Sequence, residues 1–561
     1  MVVGTYNRQI LRRHCIMYVC TMYSTVLDGP RVRETYLHTY TSVHSSVCVG
    51  GWSGWVGLAR ARRCFVCFLC HRSRLCLCVR LSTCFVCDFC VLRNLLHHHA
   101  HDCFGTGIMS AFPQAQPCSL HKDFEGLGLD EDKYVELMTK LIGESKFVQN
   151  NPRQGLVPEE GKVAQHVLAE LAPFTRDNGG PLEVEVLEYV KNRPNIKITY
   201  KGSTDATIGI IGSHMDVVPA NPETWERDPF KLAREGDRLY GRGTTDCLGH
   251  VGLLTLLMAN LALKRPNLQK TIVVLFIAGE EGGDTGVGVD TCVNKGAIAE
   301  LKNGPVFWVD SADSQPCVVT AGAMQWHLKS TGRLFHSGLP HKGINSLELC
   351  MEAIAEIQKR FYADFPPLAD ETKYNFSCPS TIKPTQIECA QGALNQLPPW
   401  TTVSGDIRLS PFYDAGVVMD KMNAYVKDLN ENIQYIPTRG PCSKYTLEGD
   451  DVDVKRGTLE LTWSGPIEEV RHMEGVACNL ESPGLQAIID ATAAVKGSAE
   501  PYAITGSLPL VREMQAAGFD IQITGYGLSK TYHADNEYAL LSDMTDAYQI
   551  MLLIISQMDT K

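Results

Sequence analysis

Thr207-Ile-Gly-Ile-Ile-Gly-Ser-His214-Met-Asp216 joins a short apolar run directly to an imidazole and a carboxylate. A run of this kind, too short for a helix and bounded by glycine, reads as a strand buried on both faces. Thr271-Ile-Val-Val-Leu-Phe-Ile-Ala-Gly279 leads in the same way into Glu280-Glu281, and the run 306–309 leads into Asp310. Between them, 239–243 leads into Thr244-Thr-Asp246, and far downstream His533 stands in Tyr-His-Ala-Asp-Asn-Glu. Two imidazoles and five carboxylates are the donors that two hard-to-borderline divalent ions need for a shared site. The pattern predicts a two-metal hydrolase.

Outward from these strands the chain alternates strand with helix. Helical spacing of apolar residues covers 131–145 and 160–171, and strands are expected at 182–190, 196–200 and 207–211. A helix over 247–263 leads into strand 271–278, and a helix over 289–301 leads into strand 306–309. This order predicts an α/β layer with a mixed, largely parallel sheet. In such sheets ligands bind beyond the carboxyl ends of the strands, where His214, Glu280, Glu281 and Asp310 fall.

After Gly322 the style changes. Strands are expected at 324–333, 382–389 and 401–409, with helices at 346–361 and 413–429. A strand–helix–strand–strand–helix–strand order describes a ferredoxin-like α+β unit with its helices on one face. It is an insertion, because 483–495 and the last helix, 542–558, return to the first style. The expected division is 125–321 and 476–561 for one domain and 322–475 for the inserted one, with 448–453 as a surface loop.

The composition excludes several classes. A net charge of −11 argues against a general nucleic-acid binder, since little offsets phosphate repulsion. No run of eighteen apolar residues occurs, so no membrane-spanning helix is expected; 251–263 is too short. Nine of the 21 cysteines are scattered singly between Cys118 and Cys478, which suits a reducing, cytoplasmic setting.

The other twelve cysteines lie before residue 109, in a segment with twelve Arg, no Lys and four acidic residues. Cys64-x-x-Cys67-x-x-Cys70, Cys84-x-x-Cys87-x-x-Cys90 and the cluster His97-His98-His99-Ala-His101 permit a metal-binding module. The bulky residues between the first cysteines (Phe65, Val66, Phe68, Leu69) supply no turn chemistry for one. A transit segment, which would mean organelle import, fits the arginines and not the cysteines. The reading adopted is that 1–108 is an extension foreign to the fold and disordered. Normal composition begins at Met109.

The motifs together resemble the acetylornithine deacetylase and succinyl-diaminopimelate desuccinylase family of zinc metallohydrolases, and within it plant acetylornithine deacetylases most. They are Ser213-His214-Met-Asp216-Val-Val-Pro219, Trp225–Asp228-Pro-Phe230, Tyr240-Gly-Arg-Gly243-Thr-Thr-Asp246, Gly279-Glu280-Glu281-Gly282 and the late His533. The resemblance covers roughly 125–560 and implies a zinc-exopeptidase-like catalytic domain with an inserted dimerisation or lid domain. It also implies two zinc ions, for which cobalt can substitute, and a small N-acyl amino acid as substrate.

Residue by residue, the resemblance implies His214, Asp246, Glu281, Asp310 and His533 as metal ligands, with Asp246 bridging. Asp216 would fix the His214 ring, and Glu280 would act as general base. One departure stands out: the family pattern has Glu before Pro-Thr, and this chain has Asp310-Ser-Ala-Asp313. Register against Gln315-Pro316 favours Asp310 over Asp313. Glu537 is a candidate to orient His533. In Gly332-Arg-Leu-Phe-His336-Ser-Gly-Leu-Pro340, His336 matches the residue that reaches a partner subunit's site to stabilise an oxyanion. Asn395, Arg408, Gly506 and Ser507 match substrate-side positions, Arg408 as a fork for an α-carboxylate. A salt bridge with Asp406 is the structural alternative for Arg408.

The implied activity is removal of the acetyl group from N2-acetyl-L-ornithine by a homodimer, in arginine biosynthesis. The alternatives are a related aminoacylase or dipeptidase, and a scaffold that keeps metal but not catalysis. The scaffold is disfavoured because neither the base nor any ligand is missing.

Overall fold

The computed structural model describes residues 112–561 apart from 377, 450–451, 465–472, 505, 507 and 561, and three short strands nearer the N-terminus. The chain divides into two units, Met1–Met109 and Ser110–Lys561. In the first, Tyr18–Val19, Cys64–Leu69 and Cys76–Leu81 pair antiparallel in that order. Otherwise the expectation for 1–108 lies outside the described residues.

In the second unit the apolar runs become the middle of an eight-stranded sheet. Its strands are β1 (Leu182–Val190), β2 (Arg193–Tyr200), β3 (Thr207–Ile211), β4 (Thr271–Phe276), β5 (Pro305–Val309) and β6 (Cys317–Val319). A second sheet uses β7 (Gly322–Thr331), β8 (Thr381–Cys389), β9 (Trp400–Leu409) and β10 (Thr458–Ser464). The chain then returns to the first sheet with β11 (Tyr502–Ala503) and β12 (Asp520–Thr524).

The large sheet runs in the order β11-β6-β12-β5-β3-β4-β2-β1. β12, β5, β3 and β4 are mutually parallel, and β2 and β1 add an antiparallel edge. Every residue of β3, β4 and β5 is buried, which is why these strands read as unbroken apolar runs. Helices α1 (Glu131–Glu144), α2 (Gly161–Leu171), α3 (Leu248–Lys264) and the last helix, Leu541–Thr560, contribute to the core on one face. Short helices at Val289–Asn294 and Val511–Ala516 help to close the other. The helix expected over 289–301 breaks because Gly296, at φ 71°, turns the chain out of helical geometry. A 3₁₀ turn, Ala299–Asn303, follows.

The second sheet is wholly antiparallel, in the order β8-β9-β7-β10. Counted within the insertion this is fourth-first-third-second, the ferredoxin-like arrangement read from the sequence. Helices Ser346–Asp364 and Ala415–Glu431 join it in a separate apolar core around Trp326, Phe361 and Met422. Asn345 and Asp414 cap these helices through their side-chain oxygens. Among the described residues, no helix is long and apolar enough to cross a membrane.

Candidate metal centre

Three parallel strands deliver three of the site's elements to one edge of the large sheet. Beyond β3 and β4 the pairing continues, Met215 N donating to Ile277 O and Ile277 N to Ser213 O. This sets His214 beside Ile277 and just ahead of Glu280-Glu281. Asp310 follows β5, held by its N–H to Thr524 O at 3.0 Å. Asp246 stands just before the N-terminus of α3, and the Asp246–Cys247 peptide is cis.

The side chains converge in two groups. His214, Asp246, Cys247 and Asp310 offer ligand atoms within 4.8 Å of one another, and so do Asp246, Glu281 and His533. Asp246 belongs to both: its Oδ1 lies 3.1 Å from His214 Nε2 and its Oδ2 lies 3.2 Å from His533 Nε2. Glu281 Oε2 is also 3.2 Å from His533 Nε2. A carboxylate whose two oxygens face two separate imidazoles is the arrangement a bridging ligand needs. Glu280 belongs to neither group, although its Oε2 is 3.8 Å from His214 Nε2. Of the two candidates after β5, Asp310 faces the site; Asp313 Oδ1 instead accepts from Ser529 N at 3.0 Å.

Asp216 ties these parts together. His214 Nδ1 lies 2.9 Å from its backbone oxygen and 3.4 Å from Oδ1. The two carboxylate oxygens of Asp216 accept from the N–H groups of Glu280 and Glu281 at 3.2 and 3.0 Å. Glu537 differs from its expectation. It is fully buried, accepts from Arg242 Nη1 at 2.6 Å, and takes the N–H groups of Gly243, Thr245 and Asp246 at 2.8–3.1 Å. It therefore shapes the loop that carries Asp246, and no hydrogen bond joins it to His533 among the described residues.

The remaining expected residues fall elsewhere. His336 is exposed on a loop of the insertion, where its Nδ1 accepts from Gly338 N at 3.0 Å. Asn395 O accepts from Ser337 N on the same loop. Arg408 Nε donates to Asp406 Oδ2 at 2.7 Å, which is the structural alternative raised for it. Gly506 O accepts from Ala321 N, and Ser507 lies outside the described residues. Cys247 was missed as a neighbour of the centre. Its thiol lies 3.0 Å from His250 Nδ1, and the only sequence signal was adjacency to Asp246.

The electrostatics test whether a metal fits. Burial, followed by the charge of Asp310, pushes the Glu280 carboxyl well above the usual range. Burial and Asp246 raise Glu281, and burial raises Asp310 to about 7. The hydrogen bonds that His533 donates to Asp246 and Glu281 raise it to about 11. Carboxyls packed this closely hold on to their protons, and divalent cations would take the place of those protons by balancing the ionised forms. The donor set fits them.

A pH dependence follows for the metal-free protein. Asp310 has its folded pKa raised from 3.8 to about 7, so the stability it contributes is complete below about pH 4 and lost as pH rises through 7. His533 stays charged in the fold across that window. Glu160, likewise raised to about 7, and the raised Glu280 and Glu281 add to the fall. His250, lowered to about 4, opposes it, and Asp246, whose pKa is lowered, changes only below the window. Chelated protein should therefore lose thermal stability between about pH 4 and pH 7, and added divalent metal should flatten the slope. A chelated protein whose melting temperature rose across this range would contradict the assignment.

Residues 210–557 match the sequence profile of Peptidase family M20/M25/M40. The chain belongs to this family. It is similar to the acetylornithine deacetylase of Arabidopsis thaliana, with 51% identity over 439 residues, or 78% of this chain and 98% of that one. It is also similar to the acetylornithine deacetylase of Dictyostelium discoideum, with 47% identity over 435 residues covering 75% and 96%. Among solved structures of the M20 fold, human carnosine dipeptidase 1 superposes with a TM-score of 0.55 at 14% identity, over 77% of this chain and 97% of that one. A metallo-carboxypeptidase from Sulfolobus solfataricus gives 0.54 at 16% identity, over 77% and 100%. At such identities these likenesses establish the shared fold alone. As an M20 member, the chain is a hydrolase of amide bonds.

Proposed function

We propose that this protein hydrolyses N2-acetyl-L-ornithine to L-ornithine and acetate, the deacetylation step of arginine biosynthesis, as a cytoplasmic homodimer. The observation that carries the reading is the 51% identity along 98% of a plant acetylornithine deacetylase, in a chain whose motifs converge on two donor groups that share Asp246. Two zinc ions fit the donors, one with His214, Asp246 and Asp310 and one with Asp246, Glu281 and His533. Bound there, they would polarise the acyl carbonyl and acidify a water.

The chain's own residues do the rest. Asp216 holds the His214 ring and the Glu280-Glu281 amides. Glu280, raised by burial, takes a proton from the attacking water. As the C–N bond breaks, it returns that proton to the leaving amine. Arg408, Asn395, Gly506 and Ser507 are proposed on the substrate side, with residues 125–321 and 476–561 forming the catalytic domain. The insertion, 322–475, is proposed as the dimerisation and lid domain. His336, exposed on it, would donate a hydrogen bond to the oxyanion in the neighbouring chain's site.

A panel of N-acyl amino acids and dipeptides tests the reading. N2-acetyl-L-ornithine should be the preferred substrate of the zinc-loaded protein. Preference for another acyl amino acid or for a dipeptide would place it with a different M20 activity. Subunit mixing tests the role of His336, whose loss should cost roughly 10²–10³ in rate, as for one oxyanion donor. Mixed His336→Ala and Glu280→Ala chains should recover partial activity. No recovery in a mixture shown to exchange subunits would confine His336 to its own chain or to no catalytic role.

A further inference from the structure

Behind the Glu280-Glu281 turn lies a largely buried run of polar side chains of which the reaction described above uses only Asp216. Four consecutive amides after β4 donate to side chains. Ala278 N reaches Asn195 Oδ1 and Gly279 N reaches Glu160 Oε1, both at 3.1 Å, and Glu280 N and Glu281 N reach the two oxygens of Asp216. Glu160 also accepts from Arg193, at 3.0 Å from Nε and 2.7 Å from Nη2. The same Nη2 lies 2.8 Å from Asp284 Oδ2. Asn150 Nδ2 then joins Asp284 Oδ2, at 3.1 Å, to Asp216 Oδ2, at 2.8 Å. The circuit closes where Asp284 N donates to Gly279 O at 2.8 Å.

Two features mark Asn150 as the joint of this circuit. Two carboxylates meet there, and the Nδ2 amide donates to both; a third carboxylate would repel them, and a flipped amide would turn Oδ1 against them. Its Oδ1 is buried and has no hydrogen-bond partner among the described residues, so Nδ2 alone ties the side chain to its surroundings. Packing leaves the turn no slack either. A Cβ at Gly282 would lie 2.7 Å from Asp284 Oδ1 and 2.8 Å from Asn150 Nδ2. A Cβ at Gly279, where φ is +73°, would lie 2.9 Å from Asp284 Cβ.

We propose that Asn150, backed by Arg193 and Glu160, is a positioning residue. It holds Asp216 against the amides of Glu280 and Glu281, so that one carboxyl leaves the turn toward His214 and its neighbour toward His533. Only the kinetic arm of its test rests on the deacetylase reading. The second arm, amide hydrogen exchange of the segment containing Ala278–Glu281, needs no substrate.

In metal-loaded full-length Asn150→Ala, kcat should fall roughly 10–100-fold with KM nearly unchanged, as for groups that orient ligands from behind. The Glu280 and Glu281 amides should exchange about tenfold faster than in the wild type, since they lose the brace on their acceptor. Asn150→Ser, which keeps one donor, should recover part of both, and it carries the test if the alanine variant does not fold. Leu552→Ala, a core truncation in the last helix, serves as the stability control. Unchanged kcat or unchanged exchange in Asn150→Ala would overturn the proposal. So would an equal loss of kcat in the control at an equal drop in melting temperature. A wild-type protein inactive on N2-acetyl-ornithine would count against the deacetylase reading alone, and exchange would still decide the positioning role.

Discussion

Replacing Glu280 with alanine is expected to abolish turnover while leaving metal content near that of the wild type. Glu280 stands outside both ligand groups, so its loss removes no donor. Its carboxyl is buried and raised above the usual range, first by desolvation and then by Asp310, which favours a group that accepts a proton and returns it within one cycle. General acid–base contributions are on the order of 10²–10⁴-fold, and the loss should reach at least that range. Steady-state kinetics with metal analysis checks it. A variant with full metal and wild-type rate would assign the proton transfer to another residue.

The adjacent position should behave differently. Glu281→Ala and His533→Ala are expected to lose metal first and activity as a consequence. His533 faces both Glu281 and Asp246 at 3.2 Å, and removing Glu281 or His533 leaves that group with two donors. The fall in affinity should exceed the roughly 10–100-fold typical of changes behind a ligand. Excess metal should restore part of the rate in these two variants and none in Glu280→Ala. Full metal occupancy in both, measured after dialysis, would rule out the ligand assignment.

Much of this site was legible because its residues follow buried strands. Uninterrupted apolar runs placed β3, β4 and β5, and the residues after them had to emerge at one sheet edge. The alternation of side-chain direction explains why neighbours as alike as Glu280 and Glu281 take different environments. The ferredoxin-like order was also readable, although its fourth strand was not located. Leu459, Leu461 and Trp463 alternate at period two in β10, so the signal was present next to a loop that distracted from it. β12 was harder. Gln522 and Thr524 are buried polar residues in a five-residue strand and disguise its burial on both faces.

What the sequence could not disclose were contacts between distant segments. Asn150, Glu160, Arg193 and Asp284 belong to no shared motif, and each alone reads as an ordinary polar residue. Only the fold brings them behind one turn. Glu537 shows the same limit from another side. Its proximity to His533 in the chain suggested a partner, whereas the fold directs its carboxylate to Arg242 and the amides before Asp246. Local spacing identified groups that act together along a strand end, and it was silent on what holds them there.

The central claim is one site with two ions that share Asp246. Anomalous diffraction at the zinc edge, from crystals of the zinc-loaded protein, tests it most directly. Two peaks per chain are predicted, one against His214 and Asp310 and one against Glu281 and His533, with Asp246 reaching both at a separation of roughly 3.5–4 Å. A single peak, or two peaks of which either lies away from Asp246, would contradict it.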